Sequence, residues 1–321
     1  MTADTFDVIT MGRVSVDLYP QQVGVPLAEV ESFAKSLGGS PTNVAVAAAR
    51  LGARAAVVTK VGDDPFGEYV RRALEGFGVY PRWVGTDPKL RTPLAFCEIH
   101  PPDYFPLLFY REPKAPDLNL GRPDLDLEAI GGARLFWTTG TGLSAEPSRS
   151  ATLIALEARE AVHHSGITVH DLDYRAVFWS DRAEAGRWAR EAVRHATVAV
   201  GNQEEVEVAV GTGDPYEGSA ALLELGVGLA VVKLGPQGVL ARTPAGVFEL
   251  EPVRLKVLNG LGAGDAFGGA LAWALLEGWD PEEAVRLANA AGALVASRLA
   301  CADDMPTLDE LRALVGEEVS T

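Results

Sequence analysis

The stretch VLNGLGAGDAFGGALAWALL, Val257 to Leu276, carries glycines at 260, 262, 264, 268 and 269 and one carboxylate, Asp265, before it becomes an apolar run. The run reads as a helix that starts near Ala263 to Asp265. A helix N-terminus offers unpaired N–H groups and the positive end of the dipole, which together bind anions. Glycines before it let the backbone approach a ligand closely. Gly262, Ala263 and Gly264 are therefore candidates for an anion hole, and Asp265 for a general base beside it. The chemistry suggested is transfer of a phosphoryl group onto a hydroxyl, which asks mainly for positioning and charge stabilisation. Alternatively, Asp265 serves only to complement the dipole. The spacing is not GxxxxGK[ST], because no Lys-Ser/Thr follows the glycines. It is G-x-G-x-G rather than GxGxxG, and it falls late in the chain, so dinucleotide binding is a poorer fit.

The elements that must position this corner alternate along the chain. FDVITMG, RAAVVTKVG, ARLFWTTG, GITVHDLD, ATVAVGN and LAVVKLG read as short buried strands ending in Gly, Asn or Asp. Between them NVAVAAARLG, DPFGEYVRRALEGFGV, SATLIALEAREAVHHSG and RAEAGRWAREAVRHA read as helices. This rhythm predicts an α/β fold with a parallel sheet covered on both faces. Ligands of such sheets sit at the carboxyl ends of the strands. That directs attention to Asp17, to Asp171 through Arg175, to Asn202 and to Gly235. Two stretches, about 13–36 and 91–117, break the rhythm with strand-like and Pro-rich pieces. They read as a small β-sheet lid inserted in one domain spanning 1–321, or else as long surface loops.

Composition narrows the partners. The chain has 321 residues, 47% hydrophobic and 22% charged, in the range of a globule with a large core. Its formal charge is −16, from 44 acidic and 28 basic residues. Nucleic acid and an anionic membrane are thereby disfavoured as main partners. A few local Arg or Lys can still dominate a pocket for a small anion. Two cysteines without framework spacing, no signal-like N-terminus and no long apolar run lead to a cytoplasmic expectation. The pair His163-His164 reads as a helix surface rather than a metal site.

Two motifs make the reading specific. GLGAGDAFGGAL resembles the C-terminal signature of the ribokinase or phosphofructokinase-B family of sugar kinases, and LGGSPTNVAVAAARLG resembles its N-terminal one. KVGDDPFGEYVRRALEGFGV, VGNQEEVEV and VVKLGPQGVL match further family stretches in order, so the likeness runs from residue 7 to about 306. The resemblance implies a ribokinase-like three-layer α/β/α fold with a central, mostly parallel sheet and a small β-sheet lid. It implies ATP and Mg2+ as cofactors, Asp265 as the base, and the Gly262, Ala263 and Gly264 amides as the anion hole. Asn202 and Glu205 would order the magnesium, Glu205 through water, since Mg2+ keeps several waters. Lys233, Gly235, Gly238 and Asn289 would line the nucleotide site, although Asn289 in a helix can equally be a satisfied polar residue. Asp17 would grip the acceptor over a floor of Gly38, Gly39 and Asn43, or else be an ordinary turn residue. Where many members have Asp-Thr-Thr before Gly-Ala-Gly-Asp, this chain has Asn259, Gly260 and Leu261. The usual Asp helps hold a monovalent cation, so dependence on potassium is left open.

The acceptor implied is a sugar acid. Arg111, on the expected lid, and Arg175, in HDLDYRAVFW, are candidates to pair with a carboxylate, or to be ion-paired structural residues. The second segment resembles that of kinases for 2-keto-3-deoxygluconate, with Asp173 where Asn is common. The N-terminal region and the VLNGLGAGDAFGGAL variant resemble those of the subgroup acting on 5-dehydro-2-deoxy-D-gluconate in myo-inositol breakdown. A non-catalytic, ligand-sensing relative is the alternative from another class, and the intact Asp265, Asn202 and Glu205 count against it. Lids of this kind can also pair two copies into a homodimer.

Overall fold

Runs of Val, Ile and Ala become strands, and amphipathic or alanine-rich stretches become helices, in the computed structural model, which describes residues 5–162 and 166–316. The pair His163-His164 lies outside the described residues. The first half of the chain runs β1 (Val8–Met11), β2 (Ser15–Pro20), β3 (Phe33–Gly38), α1 (Ser40–Arg50), β4 (Ala55–Gly62), α2 (Pro65–Gly76), β5 (Tyr80–Asp87), β6 (Leu94–Cys97) and β7 (Leu107–Tyr110). It continues with α3 (Leu127–Gly132), β8 (Leu135–Thr139), α4 (Ser148–Val162), β9 (Ile167–Asp171), α5 (Arg182–Val193), β10 (Val198–Asn202), α6 (Gln203–Val210) and α7 (Pro215–Glu224). The last part is β11 (Leu229–Lys233), β12 (Val239–Thr243), β13 (Gly246–Leu250), α8 (Ala263–Leu276), α9 (Pro281–Ala296) and α10 (Leu308–Val315).

Nine strands form one sheet in the order β13-β12-β11-β10-β9-β8-β1-β4-β5. Its pairs are parallel from β11 through β5, and the β11-β12-β13 edge is antiparallel. Successive residues of a strand face opposite sides. Thus Val8 joins a core with α1, α2, α8 and α9, while Ile9 joins one with α4. Helices α5, α6 and α7 close the second face over β10 and β11. The architecture is the expected ribokinase-like α/β fold with helices on both sides.

The chain leaves β1 for β4 on one side and β8 on the other, so the strand order reverses at β1. Such a switch point opens a crevice at the carboxyl ends. Over this end lies a second sheet, β3-β2-β6-β7, antiparallel at both edges and parallel between β2 and β6.

Helix α8 is buried along nearly its whole length from Ala266 to Leu276, which accounts for its lack of a polar face. Glycine makes that burial possible. A Cβ on Gly269 would lie 2.3 Å from Ala47 Cβ, so α8 and α1 meet backbone to backbone. This contact locks together the two helices whose N-termini carry the candidate base and its neighbour.

Candidate active site

Gly262 caps α8 with φ +82°, a left-handed conformation that side chains disfavour. The N–H of Ala266 reaches back to the Gly262 carbonyl at 2.9 Å. The amides of Ala263, Gly264 and Asp265 precede that bond and have no such partner within the helix. Lys233, ending β11, brings its ammonium to the same mouth, 3.3 Å from where a Cβ on Gly264 would stand. Amides, dipole and ammonium together make the corner an anion site.

Asp265 sits in the first turn and accepts a hydrogen bond from Asn43 Nδ2 at 2.8 Å. Asn43 itself is buried in the first turn of α1, just after Gly38 and Gly39. Burial raises the Asp265 pKa, and the Asn43 and Ser40 hydrogen bonds and the Arg13 charge pull it back. A buried carboxylate whose proton affinity is raised is suited to take up a proton.

Across the crevice Asp17 points from β2 toward the same space. Its carboxylate overlies Gly38, where a Cβ would fall 2.0 Å from Oδ1. Gly38 is therefore glycine because the acid occupies its side-chain volume. Ser15 Oγ donates to Asp17 Oδ1 at 2.7 Å, and burial pushes the carboxyl up to about 6. Gly39, with φ +99°, caps α1 directly below. The elements thus gather Asp265, Gly262, Ala263, Gly264, Asp17, Gly38, Gly39, Asn43 and Lys233 around one crevice.

The remaining candidates have structural partners. Asn202 caps α6, accepting from Glu205 N at 2.9 Å, while Glu205 Oε2 accepts from Asn202 N at 2.7 Å. This reciprocal box satisfies two orphan helix amides. Glu205 Oε1 meets Arg175 Nη1 at 3.3 Å, and Arg175 Nη2 lies 3.4 Å from Asp173 Oδ1. Arg111 Nη2 donates to the buried Asp117 at 2.5 Å, and the guanidinium stacks over Phe178. Gly235 and Gly238 make the turn from β11 to β12, and Asn289 Nδ2 donates to the Glu251 carbonyl at 2.8 Å. Asn259 is fully buried. Its Nδ2 donates to the Leu299 carbonyl at 2.7 Å and its Oδ1 accepts from Leu261 N at 3.0 Å, so its amide ties the glycine loop to the end of α9.

Sequence reasoning directed attention to Asp171 through Arg175 but not to the buried charge cluster they form with Arg13, Glu205 and Lys233 at the end of β9. Asp171 is raised by burial and by Glu205, Asp173 and Asp265, against the pull of Lys233. Burial works against ionisation of Asp173 too, but Arg13, Arg175 and the Thr141 hydrogen bond hold it below the ordinary range. Lys233 stays protonated despite burial because Asp171, Glu205 and Asp265 surround it. The available signal was position: each group closes a strand or follows one at the carboxyl edge. Among the described residues no group of three or more His, Cys, Asp or Glu is arranged to hold a metal ion directly.

Residues 5–308 match the pfkB family of carbohydrate kinases. The chain belongs to that family. Curated relatives include the 5-dehydro-2-deoxygluconokinase of Shouchella clausii, 33% identical over 317 residues that cover 98% of this chain and 96% of that one. The protein of the same name from Clostridium perfringens is 32% identical over 319 residues, 98% of this chain and 94% of the relative. Among solved structures, a double-mutant fructokinase from Vibrio cholerae with fructose, ADP and potassium ion bound superposes with a TM-score of 0.86. It is 29% identical and covers 98% of this chain and 100% of its own. This pfkB kinase is thus an ATP-dependent carbohydrate kinase, a phosphotransferase with an alcohol as acceptor. No helix among its described residues is long and apolar enough to cross a membrane.

Proposed function

We propose that this kinase phosphorylates a sugar acid, 5-dehydro-2-deoxy-D-gluconate, at its 6-hydroxyl, as a cytoplasmic step of myo-inositol breakdown. Two curated relatives at 32–33% identity over nearly the whole chain bear the name of that activity. The single observation that carries the chemistry is the pairing of Asp265, held by Asn43, with the open amides at the mouth of α8. The acceptor oxygen attacks the γ-phosphorus of ATP while Asp265 takes its proton. The bond from that phosphorus to the bridging oxygen breaks, and its electron pair leaves with ADP. The Gly262, Ala263 and Gly264 amides and Lys233 hold the charge of the moving phosphoryl, in the manner of an oxyanion hole. Asp17 fixes the acceptor over Gly38 and Gly39. The strands of the small sheet act as a lid, which on closing keeps water from the phosphate.

Mg2+ fits this site as an ion held chiefly by phosphates and water, with Glu205 and Asp171 at its edge and, among the described residues, no group of three or more His, Cys, Asp or Glu arranged to hold it directly. Its chemistry would be to neutralise the phosphate charge. Glu205 and Asp171, crowded among other carboxylates, are the groups to hold its waters. Gly235, Gly238 and Asn289 lie where the nucleotide would lean on the β11–β12 turn and α9. A monovalent cation finds less charge here, because position 259 carries a neutral amide whose Oδ1 already accepts from Leu261 N and has one lone pair left. A homodimer through the outer face of the small sheet, where Leu108 and Tyr110 are exposed, is open to light scattering.

The test is a coupled-ADP assay on 5-dehydro-2-deoxygluconate, 2-keto-3-deoxygluconate, fructose and ribose. Turnover of a neutral sugar alone refutes the acid reading. Asp265→Asn should lower kcat by ~10²–10⁴-fold or more while ATP still raises the melting temperature. Unchanged turnover refutes the assigned base.

A further inference from the structure

The acceptor crevice is lined by acids, and an anionic acceptor needs a cation there that the protein has not already neutralised. Asp17 and Asp265 face it directly, and Asp171 and Asp173 stand behind. Of the four cations in this part of the molecule, three are committed. Lys233 stands at the phosphate mouth among Asp171, Glu205 and Asp265. Arg175 bridges Asp173 and Glu205 and also donates to the Tyr174 carbonyl at 2.9 Å. Arg111 places Nη2 on buried Asp117 and Nη1 on the Val14 carbonyl.

Arg13 is the fourth. It follows β1 at the switch point, two residues before Ser15 and four before Asp17, at the carboxyl edge of the main sheet. Its Nε meets Asp173 Oδ2 at 3.4 Å, a long contact on an oxygen that already accepts from Thr141 at 2.7 Å. Among the described residues, Nη1 and Nη2 of Arg13 make no hydrogen bond, though the side chain is only 10% exposed. The stem and Nε are enclosed while the fork reaches open space, so it is free to take a ligand without breaking a protein contact. Its charge reaches both Asp17 and Asp265, the two groups that would flank an acceptor.

We propose that Arg13 is the specificity-determining residue of this kinase, its free Nη1–Nη2 fork pairing with the carboxylate of the sugar-acid acceptor. Asp173, anchored by Thr141 and Arg175, is the positioning residue that holds the guanidinium in place. Planar carboxylate and planar fork match through two parallel hydrogen bonds, which a neutral sugar cannot reproduce. The assignment rests on the sugar-acid reading above and moves the carboxylate contact from Arg111 and Arg175 to a residue between strand and lid.

The experiment compares kcat/KM for 5-dehydro-2-deoxygluconate and its primary amide, in the wild type and in Arg13→Met and Arg13→Lys. Hydrogen bonds to charged groups contribute enough that losing the pair should lower the acid-to-amide ratio on the order of 10²-fold in Arg13→Met. Arg13→Lys keeps a charge beside Asp173 but lacks the fork, and should lower the ratio by roughly tenfold. A ratio unchanged in Arg13→Met, or in Arg13→Lys should the methionine variant not fold, overturns the assignment of Arg13 alone. If the wild type itself shows no preference for the acid, the sugar-acid reading falls and the assignment with it.

Discussion

Replacing Asn43 by alanine tests the base and its tuning in one experiment. The 2.8 Å bond from Asn43 Nδ2 to Asp265 favours the ionised carboxylate, against a burial that disfavours it. A hydrogen bond to a charged group contributes about 1.5–3 kcal/mol. Its loss therefore raises the Asp265 pKa further above the ordinary carboxylate range. Ser40 and Arg13 still favour the ionised form and limit that rise. The base must be unprotonated to act, so activity is lost as pH falls through its pKa. Raising the pKa therefore moves the acid limb of the kcat profile to higher pH. The assay is coupled-ADP turnover at saturating ATP and acceptor between about pH 5 and 9.5, with folding checked by circular dichroism. The variant should be most impaired at low pH and recover toward the wild-type rate above its shifted limb. A loss equal at every pH means damage to packing rather than to the base. An acid limb that stays put or moves down refutes the role given to Asn43.

Three further perturbations act on separate parts of the site. Gly262→Ala forces a side chain into φ +82° with its Cβ 2.4 Å from Cys301 Sγ. The backbone conformation costs about 1–2 kcal/mol and the overlap about 1–3 kcal/mol, read in urea melts. The displaced mouth of α8 should lower kcat on the order of 10²–10³-fold, and a near-normal kcat would remove these amides from the mechanism. Asp17→Asn should cripple acceptor use yet stabilise the fold at neutral pH. The native carboxyl titrates at about 6 against an ordinary 3.8, so the native state holds its proton longer than the unfolded chain. Stability is full below pH 4 and declines as pH rises through about 6, by up to about 3 kcal/mol. The neutral amide escapes that decline, so urea melts should show a gain at pH 8 and almost none at pH 4. Replacing potassium by sodium or tetramethylammonium should change kcat less than twofold, given that position 259 carries a neutral amide whose Oδ1 already accepts from Leu261 N. A tenfold dependence would place the cation elsewhere.

How much of this was legible in the chain depends on the range over which each feature is determined. Strands, helices and the glycine mouth of α8 are local, written in apolar runs, caps and a left-handed turn, and the expected helix start at Ala263 to Asp265 fits α8 at Ala263–Leu276. The NQEE segment shows the limit of local reading. Asn202 and Glu205 have the residue types and spacing of a metal-ordering pair and of a capping box; the local hydrogen bonds form the box, and the proposed role toward magnesium-bound water depends on groups brought from elsewhere in the chain. The pairing of Arg13 with Asp173 lay beyond sequence reasoning for a different reason. They are 160 residues apart, and Thr141 and Asp173 are 32 apart, joined only because β1, β8 and β9 end at the same edge.

That convergence also explains why the site holds so many buried ionisable groups at once. Asp17, Asp171, Asp173, Glu205 and Asp265 stand against Arg13, Arg175 and Lys233, an excess of two acids. A balanced set would leave every carboxylate firmly ionised and Asp265 a poor proton acceptor. The surplus negative charge and the burial instead raise Asp265 and Asp171, while the cations hold Asp173 down. One fold edge thus carries carboxylates of two kinds, Asp173 held down between two guanidinium groups and Asp265 raised by burial, as the proposed base requires.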